Sequence, residues 1–169
     1  MTKAAGSGPD EHEATGAEQE AIPLARLLVM GARVLVDRLH ELLQAAGWPP
    51  IPQSAGFVLL AARDRPTTGA EVAALMRISR QAASKLLEGL EADGLIERHG
   101  DGGDARRKLV VLSERGRALL ADVETAYEAM ESEWAQVIGR RELESMRRGL
   151  TAAVASTNGG TLPAVGPVT

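Results

Sequence analysis

Two short helix signals that lie almost end to end constrain this chain more than any other feature. Thr68 and Glu71 have the spacing of a capping box, in which each side chain bonds the other's backbone N–H, and they predict a helix over residues 69–76. Ser79 is a typical N-cap residue and predicts a second helix over residues 80–92. Because only two or three residues separate these helices, they must meet at a sharp angle, which is the spacing of a helix-turn-helix.

A β-hairpin is predicted directly after the second helix. Gly94 suits the left-handed position at which many helices end, and short apolar stretches follow at LIERH (95–99) and RKLVVL (107–112). The segment between them, GDGGDA (100–105), has adjacent glycines that tolerate the φ values of a hairpin tip. The sequence therefore predicts a hairpin beside the helix pair.

Longer amphipathic segments flank this unit on both sides. Apolar residues recur at helical spacing over 21–46, a short buried helix is predicted over 53–64, and Ser113 caps a long helix over 114–138 that precedes one over about 140–155. The apolar stripe of the long helix comprises Leu119, Val123, Tyr127, Met130, Trp134 and Val137. We predict a mainly α fold with a small β-hairpin wing, which is a winged helix-turn-helix.

The two ends of the chain differ in composition from its centre. Residues 1–18 are rich in Ala, Gly, Thr and acids without apolar periodicity, and residues 156–169 form a Gly/Pro/Thr tail. We predict both ends to be disordered and residues 19–155 to form one folded domain.

Composition narrows the class of protein. Aromatic residues make up 2% of the chain and cysteine is absent, which favours helix-on-helix packing and excludes disulfides, thiolate metal sites and thiol-based redox sensing. With no secretory signal and no apolar run long enough to span a membrane, we expect a cytoplasmic protein without membrane contact. The three histidines match no metal spacing, and neither a nucleophile elbow nor a phosphate loop occurs, so we expect no metal, cofactor or catalytic residue.

The charge of the chain is segregated. The net charge is −4, but residues 10–20 alone hold five acids and no Lys or Arg. Across residues 69–108 seven basic residues balance seven acids, while residues 77–85 contain three positive charges and no negative one. Basic side chains therefore gather at the start of the second helix and again at residues 106–108.

This placement of charge suits binding to double-stranded DNA. The N-terminal end of the second helix in a helix-turn-helix enters the major groove, where Arg pairs with guanine, Gln with adenine, and Ser or Lys with phosphate or a base edge. A basic hairpin tip can lie beside a minor groove. The predicted DNA contacts are Thr68, Ser79, Arg80, Gln81, Ser84, Lys85, Arg106 and Arg107.

Residues from about 55 to 150 resemble the multiple-antibiotic-resistance regulator (MarR) family of winged helix-turn-helix transcription factors. The resemblance rests on the helix pair, the LEADGLIER exit, an Asp-x-x-Asp-x-Arg wing at Asp101, Asp104 and Arg106, and VLSERGRALL at the start of the long helix. It implies that Asp104 bridges Arg106, which reaches the minor groove, so Asp104 joins the predicted DNA contacts. Two residues depart from the family pattern. The family often has a basic residue where this chain has Ala105, and a small or left-handed-tolerant residue where it has Arg77.

The resemblance also implies an assembly and a partner. It implies a homodimer formed through helices at about 20–46 and 114–155, a DNA-binding part over 53–112, and a pseudo-palindromic operator. It further implies that a small aromatic or anionic effector binds between these parts and releases the protein, which would then be a repressor.

Arg33, His40 and Trp48 are the candidate effector-binding residues. Each also fits a structural role, because Arg33 and His40 suit a helix surface and Trp48 beside two prolines suits a loop anchor. Trp134 continues the apolar stripe and is expected in the dimer core. An alternative function stays open at this point, namely a winged-helix protein-interaction module without specific DNA binding. Such a module would not need a basic helix front, which opposes the helix dipole by a few tenths of a kcal/mol.

Overall fold

The computed structural model describes residues 22–101 and 104–166, and their side chains except at residues 101 and 104–107. The elements in these ranges are α1 (Leu24–Ala45), α2 (Gln53–Ala61), β1 (Thr67–Thr68), α3 (Gly69–Met76), α4 (Arg80–Ala92), β2 (Ile96–Asp101), β3 (Asp104–Leu112), α5 (Glu114–Ile138) and α6 (Arg140–Thr157). The predicted N-terminal tail lies outside the described residues. The mainly α fold with a small β wing is confirmed.

Helices α3, α4 and α5 begin where the sequence predicts, because side-chain caps satisfy their first N–H groups. Thr68 and Glu71 form the capping box at the start of α3. Ser79 and Ser113 each accept a hydrogen bond from the N–H three residues later, at the starts of α4 and α5. The bounds predicted for α3, α4 and α5 are confirmed.

Three helices, α1, α2 and α6, differ in their bounds from the prediction. Helix α1 begins at Leu24, directly after a proline, and α2 ends at Ala61 where residues to 64 were predicted. The earlier end of α2 fits the Asp64–Arg65–Pro66 sequence that follows, because a residue before proline disfavours the helical conformation. Helix α6 continues to Thr157, two residues beyond the predicted end.

The three strands form an antiparallel sheet in the order β1-β3-β2. Strand β1 was not predicted, because two residues are too few to show an alternating pattern. The hairpin strands are also longer than predicted, since Asp101 pairs with Asp104 and only residues 102–103 separate the strands. The predicted tip over 100–105 was therefore too wide, and its central residues lie outside the described part of the chain.

The chain divides into two compact units, residues 1–34 and residues 35–169. In the second unit α2, α3, α4, α5 and the sheet share one core, whose largest fully buried side chains are Val58, Leu59, Val72, Leu95, Ile96, Val110 and Leu119. In the first unit the described part of α1 exposes large apolar residues at positions Leu24, Leu27, Leu28, Val29, Met30 and Val34. No helix in the described residues is long and apolar enough to cross a membrane.

Candidate nucleic-acid interface

Helix α4 exposes the polar residues of its first two turns. Arg80, Gln81, Ser84 and Lys85 are exposed, as is the N-cap residue Ser79, whose Oγ accepts a backbone N–H of the first turn at 3.1 Å. Residues four apart share a helix face, so Arg80 neighbours Ser84 and Gln81 neighbours Lys85. The front of α4 therefore carries two adjacent polar rows, each with one cation.

A cleft of about 630 Å³ lies between the start of α3, one side of α4 and the sheet. Its polar lining consists of Thr68, Glu71, Arg80, Ser84, Arg98 and Lys108. The fold therefore brings together three of the predicted DNA contacts, Thr68, Arg80 and Ser84. Gln81 and Lys85 belong to the neighbouring row of α4.

Thr68 uses its hydroxyl within the protein. Its Oγ1 donates to Glu71 Oε2 at 2.9 Å and accepts from the Glu71 N–H at 3.2 Å, while the Thr68 N–H donates to the same carboxylate at 2.8 Å. The two hydrogen bonds that Thr68 donates to the Glu71 carboxylate, and after them one from Arg65 Nη1 at 3.1 Å, lower the pKa of Glu71 to about 2. The start of α3 is thus held firmly, and Thr68 contributes to the cleft chiefly as part of its wall.

Ser84 already makes a hydrogen bond within α4, which limits the ligand groups that it can bind. Its Oγ donates to Glu88 Oε1 at 3.1 Å on the next turn of α4. While that bond is kept, the hydroxyl proton is used and the oxygen can only accept. A base amino group is therefore the partner that Ser84 suits best in this arrangement.

The wing is attached to α4 by a charged pair that the sequence did not reveal. Both Nε and Nη2 of the half-buried Arg98 in β2 donate to Glu91 Oε2 near the end of α4, the first at 2.7 Å. The hydrogen bonds from Arg98 lower the pKa of Glu91, and nearby Lys108 adds to the effect. Lys108 follows Arg107 and lines the same cleft, so the hairpin adds two cations that were not among the predicted contacts. The register of the strands sets these positions. Because register depends on pairing between residues distant in sequence, the local sequence did not indicate them.

The remaining predicted wing contacts are described only in their backbone. Asp104, Arg106 and Arg107 belong to β3, and their side chains lie outside the described residues. Among the described residues no group of His, Asp and Glu could hold a metal ion.

A second, apolar cavity of about 100 Å³ lies in the unit formed by residues 35–169. Its walls come from α1, α2 and α5, and its polar lining is His40, Gln53 and Tyr127. Partial burial raises the pKa of Tyr127, which is still 44% exposed. The cavity can thus receive a small ring and offer it a few polar groups.

The second unit holds two of the three predicted effector residues, His40 and Trp48, in different surroundings. His40 lines the apolar cavity. Trp48 instead donates from its indole Nε1 to Asp122 Oδ2 at 2.6 Å and stacks under Arg115 at 4.9 Å, so its contacts are those of a loop anchor on α5. Arg33 lies in the part of α1 that belongs to the first unit.

Comparisons with known proteins agree with this architecture. Residues 51–107 match the model of the MarR family. No curated protein matches the chain. Together with the solved structures described next, the family match confirms the resemblance that the sequence motifs indicated.

Several solved structures share the fold. A mutant of S. aureus MepR bound to an oligodeoxyribonucleotide is 24% identical, with a TM-score of 0.57, over 80% of this chain and 99% of that one. Wild-type MarR from E. coli is 23% identical with a TM-score of 0.63 over 80% and 99%. The YusO protein of Bacillus subtilis is 19% identical with a TM-score of 0.64 over 84% and 99%.

Proposed function

We propose that this MarR-family chain is a transcriptional repressor that binds double-stranded DNA as a homodimer and is released by a small aromatic effector. The proposal assigns DNA binding to residues 53–112 and dimerisation to the helices at about 20–46 and 114–155. It also assigns the protein to the cytoplasm.

The observation that carries DNA binding is the cationic cleft between α4 and the hairpin. Arg80 on the helix and Lys108 on the strand line the same cleft, and Arg98 is fixed there by Glu91. A groove edge and a phosphate strand could meet both elements at once, with Arg80 suited to a guanine and Lys108 to phosphate. The oligodeoxyribonucleotide bound to the MepR mutant of the same fold supports this choice of partner.

Exposed apolar surface supports a homodimer. An open groove of about 280 Å³ in the second unit is lined by Leu35, Tyr127, Met130, Trp134, Leu143, Met146 and Leu150, besides two charged residues. Val137, further along α5, is 83% exposed. Apolar surface of this kind on helices at both ends of the chain is typical of a subunit interface.

The apolar cavity supports an aromatic effector. At about 100 Å³ it is smaller than the roughly 300–1,000 Å³ pockets that hold drug-sized ligands, so a single ring fits it best. His40 and Tyr127 can bond a hydroxyl or carboxylate on that ring. Because α1 and α5 both form walls of the cavity, a ligand that moves them could change how the two DNA-binding parts of a dimer are spaced.

The test is fluorescence anisotropy with labelled duplex DNA at increasing salt, on the full chain. We expect affinity to fall linearly with salt on a double-logarithmic scale, and Arg106→Ala to weaken binding and flatten that slope. A protein that binds neither a random duplex nor any sequence enriched from a random pool would lack the proposed function, and the interaction module would become the favoured alternative. Benzoate and phenol are the first effector probes, and either should weaken the binding of DNA.

A further inference from the structure

We propose that residues 162–166, which follow α6, form a strap across the mouth of the apolar cavity, and that a ligand enters the cavity only when this strap moves aside. This inference rests on the proposed function, because it takes the cavity as the effector site, and it adds how access to that site is controlled. The residue that closes the cavity is Val165.

The strap begins at a tight turn where α6 ends. The N–H of Gly160 donates to the carbonyl of Ala155 at 2.8 Å, and Gly159 and Gly160 have φ of 65° and 87°, which suit glycine. Beyond them, the Asn158 side-chain amide donates to the carbonyl of Thr161 at 3.0 Å, and the N–H of Thr161 donates to the carbonyl of Asn158 at 3.3 Å. These bonds end the helix and fix the point at which the strap starts.

The far end of the strap lies against α3. A Cβ built at Gly166 would lie 3.1 Å from the carbonyl oxygen of Leu75 and 3.6 Å from its Cδ1, so the two backbones approach closely. Between the two ends, Pro163 has a fixed φ and restricts the conformations of the segment. The strap is therefore held at both ends rather than at one.

Val165 lies at the mouth of the cavity. The other lining residues that the structure describes all fall within residues 36–127, so Val165 is the contribution of the chain's end to this lining. Its exposed fraction is 60%, which means that one side of Val165 covers the cavity while the rest faces solvent. A residue of the cavity interior would be buried on all sides.

The size of the cavity indicates that the strap has to move. With Val165 in place the cavity has a volume of about 100 Å³. An apolar cavity that binds benzene in another protein has a volume of roughly 150 Å³. A single ring, the ligand that suits this cavity best, therefore gains the missing space when Val165 moves aside.

The strap is held weakly enough to open. Less than half of Val165 is covered and Gly166 is only half-buried, so little apolar area keeps the strap closed. A ligand that binds only the open state has its affinity lowered by the fraction of molecules that are open. The strap would thus set the ligand concentration at which the cavity fills.

Two aspartate substitutions in the strap test this role. Val165→Asp places a charge over the apolar lining and should release the strap. Leu162→Asp is the matched control, because Leu162 is 59% exposed in the same segment and does not line the cavity. Isothermal titration calorimetry with phenol measures the affinity of the full chain and of both variants at neutral pH.

We expect Val165→Asp to bind phenol about 3- to 8-fold more tightly than the wild type, because the covered part of Val165 no longer competes for the cavity. Leu162→Asp should bind phenol like the wild type. Unchanged or weaker binding by Val165→Asp would overturn the strap, and weaker binding would make Val165 a wall of the site. An equal gain in Leu162→Asp would also overturn it, because the gain would then come from the charge alone.

Nuclear magnetic resonance tests the strap without a ligand. The chain has one Phe and one Tyr, and both, Phe57 and Tyr127, line the cavity, so their ring signals are unambiguous. The methyl groups of Val165 should show nuclear Overhauser effects to side chains of the cavity lining, and these should weaken as phenol is added. Their absence in the free protein would refute the strap whatever the cavity binds.

The two proposals can fail separately. If neither the wild type nor Val165→Asp binds phenol or benzoate, the effector part of the proposed function fails and the gating fails with it. If the wild type binds phenol and Val165→Asp binds it no more tightly, the strap is refuted while the proposed function stands.

Discussion

The Ser113 hydroxyl donates a hydrogen bond to the carbonyl oxygen of Gly94 at 2.6 Å. The same Oγ accepts the N–H of Gly116 at 2.9 Å, and the backbone N–H of Ser113 donates to the carbonyl of Leu95 at 3.2 Å. One serine thus joins the end of α4 to the start of the long helix α5. A movement of α5 would therefore act on α4 through these hydrogen bonds rather than through a flexible linker.

Ser113→Ala should lower the free energy of unfolding by about 1–2 kcal/mol, because it removes an N-cap and leaves the Gly94 carbonyl with one partner fewer. Urea unfolding followed by circular dichroism measures the change. Ser156→Ala on α6, whose hydroxyl bonds only a carbonyl of its own helix, should stay within about 0.5 kcal/mol of the wild type. Equal effects of the two substitutions would contradict the role given to Ser113.

Gly116→Ala should destabilise the protein by about 1–3 kcal/mol, against the usual helix preference for alanine. A Cβ at Gly116 would lie 2.0 Å from the Leu95 carbonyl oxygen, so α5 and β2 would have to move apart. Gly89→Ala in α4 is the matched control, since nothing lies within 4 Å of its Cβ position, and it should stabilise by about 0.5–1 kcal/mol. Thermal melting of both variants tests the contrast, which fails if Gly116→Ala melts at or above the wild type.

Low pH should lower the free energy of unfolding through protonation of Glu71. Its pKa falls from 4.5 to about 2 in the folded state, chiefly because Thr68 donates hydrogen bonds to its carboxylate. The stabilisation is present above pH 4.5 and is lost as the pH falls from there towards 2. Urea unfolding between pH 6 and 2.5 should show this loss in the wild type and a smaller one in Glu71→Gln, which keeps a capping side chain without titrating. A Glu71→Gln variant with the full wild-type pH dependence would show that another group is responsible.

Trp48→Phe should lower the free energy of unfolding by about 1–2 kcal/mol, because the partly buried Asp122 carboxylate would lose its indole donor. The binding of phenol or benzoate should be unchanged, because the described contacts of Trp48 are with Asp122 and Arg115 rather than with the cavity lining. Isothermal titration calorimetry measures the ligand and chemical unfolding the stability. A large loss of ligand affinity with unchanged stability would instead support the effector-binding role predicted for Trp48.

Arg80→Ala should weaken binding to a selected operator by about 1–3 kcal/mol and relax its sequence preference at one position. We expect Lys85 to contact phosphate, so Lys85→Ala should weaken binding to the selected operator and to random DNA alike. Selection of duplexes from a random pool, followed by anisotropy on the winning and shuffled sequences, distinguishes these outcomes. An unchanged sequence preference in Arg80→Ala would remove that residue from base recognition.

The sequence determined the elements whose causes are local. Caps at Thr68, Ser79 and Ser113 lie within three residues of the N–H groups they satisfy, and glycine at Gly94 ends α4 for a reason confined to its own φ. Apolar periodicity needs only the chain itself, so the long helices and the winged helix-turn-helix could be predicted. The polar front of α4 followed in the same way, since side-chain spacing on a helix is fixed.

Tertiary structure decided everything that depends on residues distant in sequence. Strand register brought Lys108 and Arg98 into the cleft with Arg80, and it added a strand of two residues that no pattern could show. The close approach of Gly116 to the Leu95 carbonyl is likewise invisible along the chain. Local preferences would have predicted glycine rather than arginine at position 77, because a left-handed turn favours glycine. Such a turn could form around Arg77 because the two backbone hydrogen bonds at the end of α3 and the capped start of α4 fix the φ and ψ of the residue between them.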